Sequence, residues 1–198
     1  SDLSGPSVFN TAHALTAYLE HSSCSMIMQI GIAGVFKESG LSIGDVAVAS
    51  GEQYIGVRTD SLLNKALPFE LIDGMPLTRK GIYDFDPALV DRYYEHLSRS
   101  ITNESTQVAK GYFITVSAVT ASQDMASWLY SAFSSPLMEA MEGAAAAHIA
   151  ALYKIPMIEI RAASNFVGDR DKAKWNIDKA VMQIAEILIL DWPIRNHR

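Results

Sequence analysis

The chain has 198 residues, of which 49% are hydrophobic and 19% charged, so a packed core is expected and a disordered chain is excluded. The net charge of −6 argues against a general nucleic-acid binder, and no apolar run reaches the roughly 20 residues that span a bilayer. The lone Cys24 excludes an internal disulfide and fits a reducing cytoplasm, where we expect the protein to work without binding nucleic acid or membrane.

Helical and extended patterns alternate along the chain. In chain order they predict a helix over 7–21 with Ser7 as its cap, strands over 25–34 and 43–50, a helix over 87–100, a strand over 111–119, a helix over 122–133, a strand over 136–141, a helix over 142–154, a strand over 155–164, a polar loop over 165–175 and a helix over 176–192. Residues 51–86 carry only short apolar pieces. The alternation predicts α/β layers around a central sheet in a single domain.

Suggestive polar groups follow four of the predicted strands. They are the glycine-containing loop from Gly31 to Gly34, the segment 117–122, the pair Met141 and Glu142, and the pair Ser164 and Asn165. Ligands of open α/β sheets usually sit beyond the carboxyl ends of strands, so these groups are candidates for a binding site. Each also has a structural interpretation, because glycines and Asn favour turns and an acid favours a helix N-terminus.

Several common kinds of site are absent from the sequence. There is no GxGxxG dinucleotide fingerprint, no phosphate-binding loop and no GxSxG nucleophile elbow. The five histidines have no metal-ligand spacing, and Cys24 has no partner. We therefore expect no metal site and no cofactor.

Taken together, the quoted segments resemble the superfamily of nucleoside phosphorylases and nucleosidases. The resemblance runs through QIGIAGVF (29–36), IGDVAVAS (43–50), TVSAVTAS (115–122), EAMEGAAAAHIAALYKIPMIEIRAASN (139–165) and VGDRDKAKW (167–175). Within that superfamily, MEGAA and SNFVGDRDKAKW look most like the futalosine hydrolases, which release hypoxanthine from futalosine during menaquinone biosynthesis. The resemblance implies a three-layer α/β/α fold with a central mixed sheet, and a homodimer.

The resemblance also implies roles for particular residues in binding a purine nucleoside. Glu142 would bind the ribose hydroxyls and Asn165 would face the purine, as the two catalytic residues. The remaining contacts would come from Ala33 and Gly34 beside the attacking water, Val119 and Thr120 at the base, Met141 at the sugar, and Ser164 in support of Asn165.

The residue type at position 165 bears on the choice of purine. An amide cannot act as a general acid, but its NH₂ can donate to the N7 and O6 acceptors of a 6-oxopurine. Adenine has a donor in place of O6 and depends more on protonation of N7. Asn165 therefore favours hypoxanthine-type bases, unless nearby Asp169 supplies the proton.

The sequence leaves open both the identity of the nucleophile and that of the general base. No Arg or Lys lies within residues 25–36, which favours water over phosphate as the nucleophile. In related enzymes a short strand precedes the first helix, and its loop carries the acid that activates water. Residues 1–6 contain no such strand, and Asp2 is not a convincing substitute for that acid, so no general base is assigned. Alongside the N-ribosylhydrolase, a purine nucleoside phosphorylase and a nucleoside-binding domain without activity remain possible.

Overall fold

A computed structural model describes residues 5–56 and 66–190 of the chain. The helices are α1 (Val8–His21), α2 (Pro87–Ser100), α3 (Gln123–Ala132), α4 (Gly143–Tyr153) and α5 (Ile177–Leu188), with 3₁₀ turns at Lys37–Ser39, Pro76–Lys80 and Lys172–Lys174. The strands are β1 (Ile27–Val35), β2 (Val46–Tyr54), β3 (Ile82–Asp84), β4 (Val108–Thr115), β5 (Met138–Ala140) and β6 (Met157–Phe166). Within the described ranges, no helix combines the length and apolar character that crossing a bilayer requires.

The six strands form one mixed sheet in the order β3-β2-β4-β5-β1-β6. Strands β2, β4 and β5 run parallel to one another, β1 runs parallel to β6, and β1 meets β5 antiparallel. The predicted α/β class with a central mixed sheet is confirmed.

Strand β2 pairs with β4 along one edge, and the two halves of its other edge have different partners, which closes the sheet. Its first half pairs antiparallel with β6, Val46 lying opposite Ala162, and its second half pairs with β3. The change of partner coincides with a register shift between Ala49 and Gly51. A Cβ on Gly51 would lie 2.8 Å from the carbonyl oxygen of Tyr83, so this bulge requires a residue without a side chain.

Alternate residues of the strands face two separate hydrophobic clusters. Phe113 belongs to the larger cluster, which α2, α4 and α5 cover, whereas its neighbour Ile114 belongs to a smaller cluster with Leu129 and Phe133 of the α3 segment. Helix α4 can lie close to the sheet because its buried side chains are mostly alanine. This close approach brings the N-terminus of α4 against the buried strands that form the candidate site.

The helix ends explain where several predictions hold and where one does not. Asp86 accepts from the amide of Ala88 ahead of α2, and Ser122 and Asn176 cap α3 and α5 in the same way. Ser7 does stand at the start of α1, but its side chain makes no capping bond and its φ is 94°. The prediction that Ser7 caps the helix is therefore wrong.

The structure extends one predicted strand, shortens another at its end and adds a strand that was not predicted. Strand β2 continues to Tyr54, β4 ends at Thr115 rather than at 119, and β3 was not predicted. Strand β3 has only three residues and exists because Gly51–Gln53 of β2 offers it a pairing edge, which is information from outside its own sequence. Arg58, which with Tyr54 and Phe69 is a sequence-based candidate to line the end of the site near the 5′ position of the sugar, lies outside the described residues.

Asp45 joins the beginnings of β2 and β4 to the second half of β6. One carboxylate oxygen accepts from the amide of Ser42 at 2.7 Å and the other from the amide of Gln107 at 2.8 Å. The backbone oxygen of Asp45 accepts from the amide of Ala163 at 2.8 Å. The side chain of Asp45 is buried, whereas Ser42 and Gln107, whose amides it binds, are exposed residues.

We expect Asp45→Ala to lower the free energy of unfolding by about 2–4 kcal/mol, because it removes two hydrogen bonds to a buried carboxylate. Urea denaturation followed by tryptophan fluorescence measures the loss. Asp73→Ala, at an exposed position, is the matched control and should unfold at nearly the same urea concentration as the unmodified protein. Equal midpoints for the two variants would contradict the role given to Asp45.

Candidate active site

A row of residues across the sheet brings the end of β1 together with β5 and β6. Gly34 of β1 lies opposite Glu139 of β5 on one side and opposite Asn165 of β6 on the other. Glu139 in turn lies opposite Ile114 of β4. Directly opposed residues point to the same face of a sheet, so Glu139 and Asn165 flank Gly34 on one face.

A bulge in β6 determines the face on which Asn165 lies. Ala33 pairs with Ala163 and Gly34 pairs with Asn165, so Ser164 is the extra residue between them. In a regular strand without the bulge, Ser164 would pair with Gly34, and the side chain of Asn165 would point to the opposite face of the sheet. The bulge therefore places the amide of Asn165 beside Gly34.

The hydrogen bonds of Asn165 set the orientation of its amide. Nδ2 donates to the carbonyl oxygen of Phe166 at 3.1 Å, which requires the nitrogen to be on that side. The hydroxyl of buried Ser164 lies 2.8 Å from Oδ1 of Asn165 and 3.1 Å from the carbonyl oxygen of Ala33, and it donates its single proton to one of them at a time. One N–H of the Asn165 amide remains available to a ligand.

Gly34 provides the space in front of this amide. A Cβ at position 34 would lie 3.3 Å from Nδ2 of Asn165 and 3.1 Å from a methyl carbon of Val167, tighter than ordinary packing. The structure thus brings the predicted residues Ala33, Gly34, Ser164 and Asn165 together.

Thr120, in the segment predicted to bind the base, is attached through Glu139 to the row that contains Gly34 and Asn165. The carboxyl group of Glu139 accepts from the backbone amide of Thr120 at 3.1 Å and also from the hydroxyl of that threonine. Burial raises the pKa of Glu139, and the two bonds from Thr120 oppose that rise. Val119, the other predicted contact, is 43% exposed on the loop.

Sequence reasoning missed Glu139, because nothing in EAMEGAA distinguishes it from a solvent-exposed acid.

Glu142 precedes α4 but does not cap it. Its side chain makes no capping bond, although the residue occupies the N-cap position. Instead, Oε2 lies 3.2 Å from a terminal nitrogen of Arg161 and accepts from the amide of Met141 at 3.3 Å, while Oε1 accepts from the amide of Ser7 at 3.3 Å. The side chain is 15% exposed. The carboxylate is therefore held in place at the surface of a buried ionic group.

Arg161 is a second residue that sequence reasoning missed. Its side chain is 4% exposed and lies opposite Gly31 of β1, where a Cβ would overlap the guanidinium. It donates to the carbonyl oxygen of Ile32 at 3.3 Å and to Glu159 at 2.8 Å. The available signal was the spacing of Glu159 and Arg161, two charged residues that share one face of an otherwise apolar strand.

The two candidate catalytic residues have separate partners. Arg161, which holds Glu142, lies opposite Gly31, and Asn165 lies opposite Gly34. Three residues of extended chain correspond to about 10 Å, and residues three apart on a regular strand point to opposite faces. Convergence of Glu142 and Asn165 on one ligand around the end of β1 stays a prediction.

Asp169, the alternative proton donor, is poorly suited to that task. A bond from the amide of Asp171 at 3.0 Å and an ion pair with Lys174 at 3.3 Å hold the pKa of this carboxyl below its usual range. Among the residues that the structure describes, no group of three or more His, Cys, Asp or Glu side chains is arranged to hold a metal ion.

Comparison with known sequences identifies relatives over most of the chain. Residues 4–190 match the sequence profile of the Phosphorylase superfamily. A futalosine hydrolase from Streptomyces coelicolor is 31% identical over 165 residues, which cover 81% of this chain and 62% of that enzyme. A 5'-methylthioadenosine/S-adenosylhomocysteine nucleosidase from Bacillus cereus is 25% identical over 188 residues, which cover 94% of this chain and 77% of the relative. The chain thus spans less than two thirds of the length of the futalosine hydrolase.

Solved structures share the fold. The S-adenosylhomocysteine nucleosidase of Streptococcus pyogenes, in complex with 5-methylthiotubericidin, is 30% identical with a TM-score of 0.76, covering 93% of this chain and 74% of its own. The 5'-methylthioadenosine/S-adenosylhomocysteine nucleosidase of Neisseria meningitidis, with methylthio-immucillin-A, has the same TM-score at 20% identity, covering 94% and 77%. The nucleoside-phosphorylase-like fold and the resemblance found in the sequence are confirmed.

The attachment of Thr120 to Glu139 can be tested by hydrogen exchange. We expect Glu139→Ala to raise the exchange rate of the Thr120 amide about tenfold or more, because the charged acceptor of that amide is lost. Glu139→Gln should largely restore protection, since its amide oxygen can still accept. The Ile114 amide in β4 is the internal control, and unchanged protection of Thr120 in the alanine variant would show that the bond does not hold the loop.

Proposed function

The chain belongs to the Phosphorylase superfamily, and on that premise we propose that it is an N-ribosylhydrolase that cleaves the N-glycosidic bond of a purine nucleoside. The observation that carries this proposal is the anchored carboxylate of Glu142. It is fixed by Arg161 and by the amide of Met141, rather than used as a helix cap. A carboxylate held in this way suits the binding of a polar ligand better than the stabilisation of α4.

The proposed role of Glu142 follows from the charge that develops during the reaction. Breaking the bond between sugar and base makes the ribose positive and the base negative. A preorganised carboxylate against the ribose hydroxyls stabilises the positive side, and one such group contributes on the order of 3–4 kcal/mol. Met141, which packs beside the smaller hydrophobic cluster, would line the sugar.

The proposed role of Asn165 concerns the departing base. Its oxygen faces the hydroxyl of Ser164 and its nitrogen faces the carbonyl of Phe166, which leaves one N–H to donate. Such a donor fits the adjacent N7 and O6 acceptors of a 6-oxopurine. Val119 and Thr120 would contact the base from the other side. The 31% identity with a futalosine hydrolase supports futalosine as the substrate and hypoxanthine as the released base.

The charges around Arg161 support water rather than phosphate as the nucleophile. Phosphate would need an available cation, but Arg161 already faces both Glu142 and Glu159. Residues 25–36, which include β1, add no Arg or Lys. A phosphorylase is therefore less well supported than a hydrolase.

The setting of the reaction is part of the same proposal. We propose one domain that works as a homodimer in the cytoplasm, in keeping with the free, half-buried thiol of Cys24. Exposed apolar side chains on α5, among them Val181 and Met182, could contribute to a subunit interface.

The activity can be tested on the complete natural protein, including any residues that precede Ser1. We expect release of hypoxanthine from futalosine at a rate that added phosphate does not change, since water is the proposed nucleophile. Chromatographic detection of hypoxanthine and of the free sugar product measures the reaction. A strict requirement for phosphate would replace the hydrolase with a phosphorylase, and binding of hypoxanthine without turnover would support a nucleoside-binding domain.

Substitution at position 165 tests the choice of base. We expect Asn165→Asp to lower kcat/KM for futalosine about 10-fold or more and to raise the relative rate on 5'-methylthioadenosine, because a carboxylic acid can protonate N7. Asn176→Asp, at the cap of α5, is the control and should leave the ratio of the two rates unchanged. A strong preference for adenine nucleosides in the unmodified protein would contradict the role of Asn165.

A further inference from the structure

Four ionisable side chains meet behind the N-terminus of α4. This Arg161 cluster consists of Glu52 of β2, Glu159 and Arg161 of β6, and Glu142. Glu52 and Glu159 are completely buried, Arg161 is nearly so, and only Glu142 reaches the surface. Three carboxyl groups thus surround one cation, in a place where surplus charge has little water to solvate it.

A directed chain of hydrogen bonds enters this cluster from α4. The amide of Ala144 donates to the hydroxyl oxygen of Thr115 at 2.8 Å, and that hydroxyl donates to Oε2 of Glu52 at 2.8 Å. At the other end, Nε of Arg161 donates to Oε1 of Glu159 at 2.8 Å. One oxygen of each buried carboxyl group is therefore satisfied.

The other two oxygens have no donor among residues 5–56 and 66–190. Within these ranges, Oε1 of Glu52 and Oε2 of Glu159 are both buried without a hydrogen-bond partner. A Cβ built on Gly143 would overlap both atoms, so they lie against the same small space. Two ionised carboxylates cannot bond to each other, whereas a single proton between them satisfies both oxygens at once.

We propose that Glu52 and Glu159 share one proton, with Glu52 as its carrier, so that the net negative charge of the Arg161 cluster resides on Glu142. The Glu52–Glu159 pair is then a positioning device. It gives Arg161 a single buried countercharge, which leaves the outer nitrogen of the guanidinium free to hold Glu142. The catalytic part of this inference rests on the proposed role of Glu142 at the ribose, whereas the shared proton does not.

The remaining groups that face Glu52 do not supply a competing charge. Tyr83 of β3 lies directly opposite Glu52, and burial raises the pKa of Tyr83 to about 12. His148 of α4 bonds to the Tyr83 hydroxyl at 2.9 Å, and burial lowers the pKa of that histidine. Both are therefore neutral near pH 7. Burial and the neighbouring Glu159 together raise the pKa of Glu52 well above its usual range, in agreement with a retained proton.

Loss of the proton would change the position of Arg161. A second buried negative charge would then stand beside Glu159, and the guanidinium would be drawn toward the pair and away from Glu142. The ion pair of 3.2 Å between Arg161 and Glu142 is the contact at risk, since its geometry falls short of a hydrogen bond. High pH should therefore weaken the hold on Glu142.

The shared proton can be tested through stability, without any assay of activity. An acid whose pKa is raised by folding stabilises the native state below its unfolded pKa, and this contribution is lost as pH rises through the folded pKa. Glu52→Gln mimics the protonated acid, because its amide can donate to Glu159 and accept from Thr115, and it has no proton to lose. The Tm of Glu52→Gln minus that of the unmodified protein should therefore grow steadily between about pH 5 and 9.

Glu95→Gln is the matched control at an exposed position, and its Tm difference should stay constant over the same range. A constant difference for Glu52→Gln as well would overturn the proposal. Should that variant fail to fold, the infrared spectrum of the unmodified protein decides instead, because a neutral carboxyl group has a C=O band that carboxylates lack. Absence of that band at pH 7 would overturn the proposal too.

Turnover tests the positioning role. The unmodified enzyme should lose kcat toward high pH with little change in KM, and Glu52→Gln should retain kcat where the unmodified enzyme has lost it. Glu159→Gln removes the buried countercharge of Arg161, and Glu52→Ala removes the neutral acid that fixes Glu159. Each should therefore lower kcat about 10-fold or more. An alkaline decline that persists unchanged in Glu52→Gln would refute the positioning role. If no nucleoside is cleaved, the proposed function fails, while the Tm series still decides whether the proton is shared.

Discussion

The buried guanidinium of Arg161 is the interaction on which the candidate site depends. It bonds to Glu159 on its own strand, to the backbone of Ile32 on β1, and to Glu142 at the start of α4. Removing one member of such a buried group leaves an uncompensated charge, so the group forms or fails as a unit. Strands β1 and β6 and the start of α4 are thereby fixed relative to one carboxylate.

This arrangement is possible only because side chains are missing at three places. Gly31 leaves room for the guanidinium, Gly143 for the two buried carboxyl groups, and Gly34 for the amide of Asn165. A Cβ at position 31 or 143 would collide with a polar side-chain atom, and one at position 34 would crowd both the amide of Asn165 and a methyl carbon of Val167. Gly31 and Gly34, which looked like turn residues in the sequence, therefore make room for polar side chains within the sheet.

The sequence predicted the repeating parts of the fold and named candidate site residues, but it did not predict how those residues are ordered across the sheet. Five helices and five strands follow from local periodicity, and Glu142 and Asn165 stand at the strand ends where ligands bind in such sheets. Strand β3, the bulge at Ser164 and the cross-sheet row of Glu139, Gly34 and Asn165 depend on register between distant strands. No local pattern contains that register, so Glu139 could not be told from a surface acid.

The two halves of the proposed site differ in how their charge is balanced, and this difference bears on the proposed chemistry. At the Glu142 end, one cation faces three carboxyl groups, and Glu142 is the anion that we propose to stabilise the developing sugar cation. At the Asn165 end the groups are neutral amide, hydroxyl and backbone dipoles, and the acid in that row, Glu139, is occupied by Thr120. A site that is anionic at one end and neutral and hydrogen-bonding at the other matches the polarity of a glycosidic bond breaking toward an oxopurine leaving group.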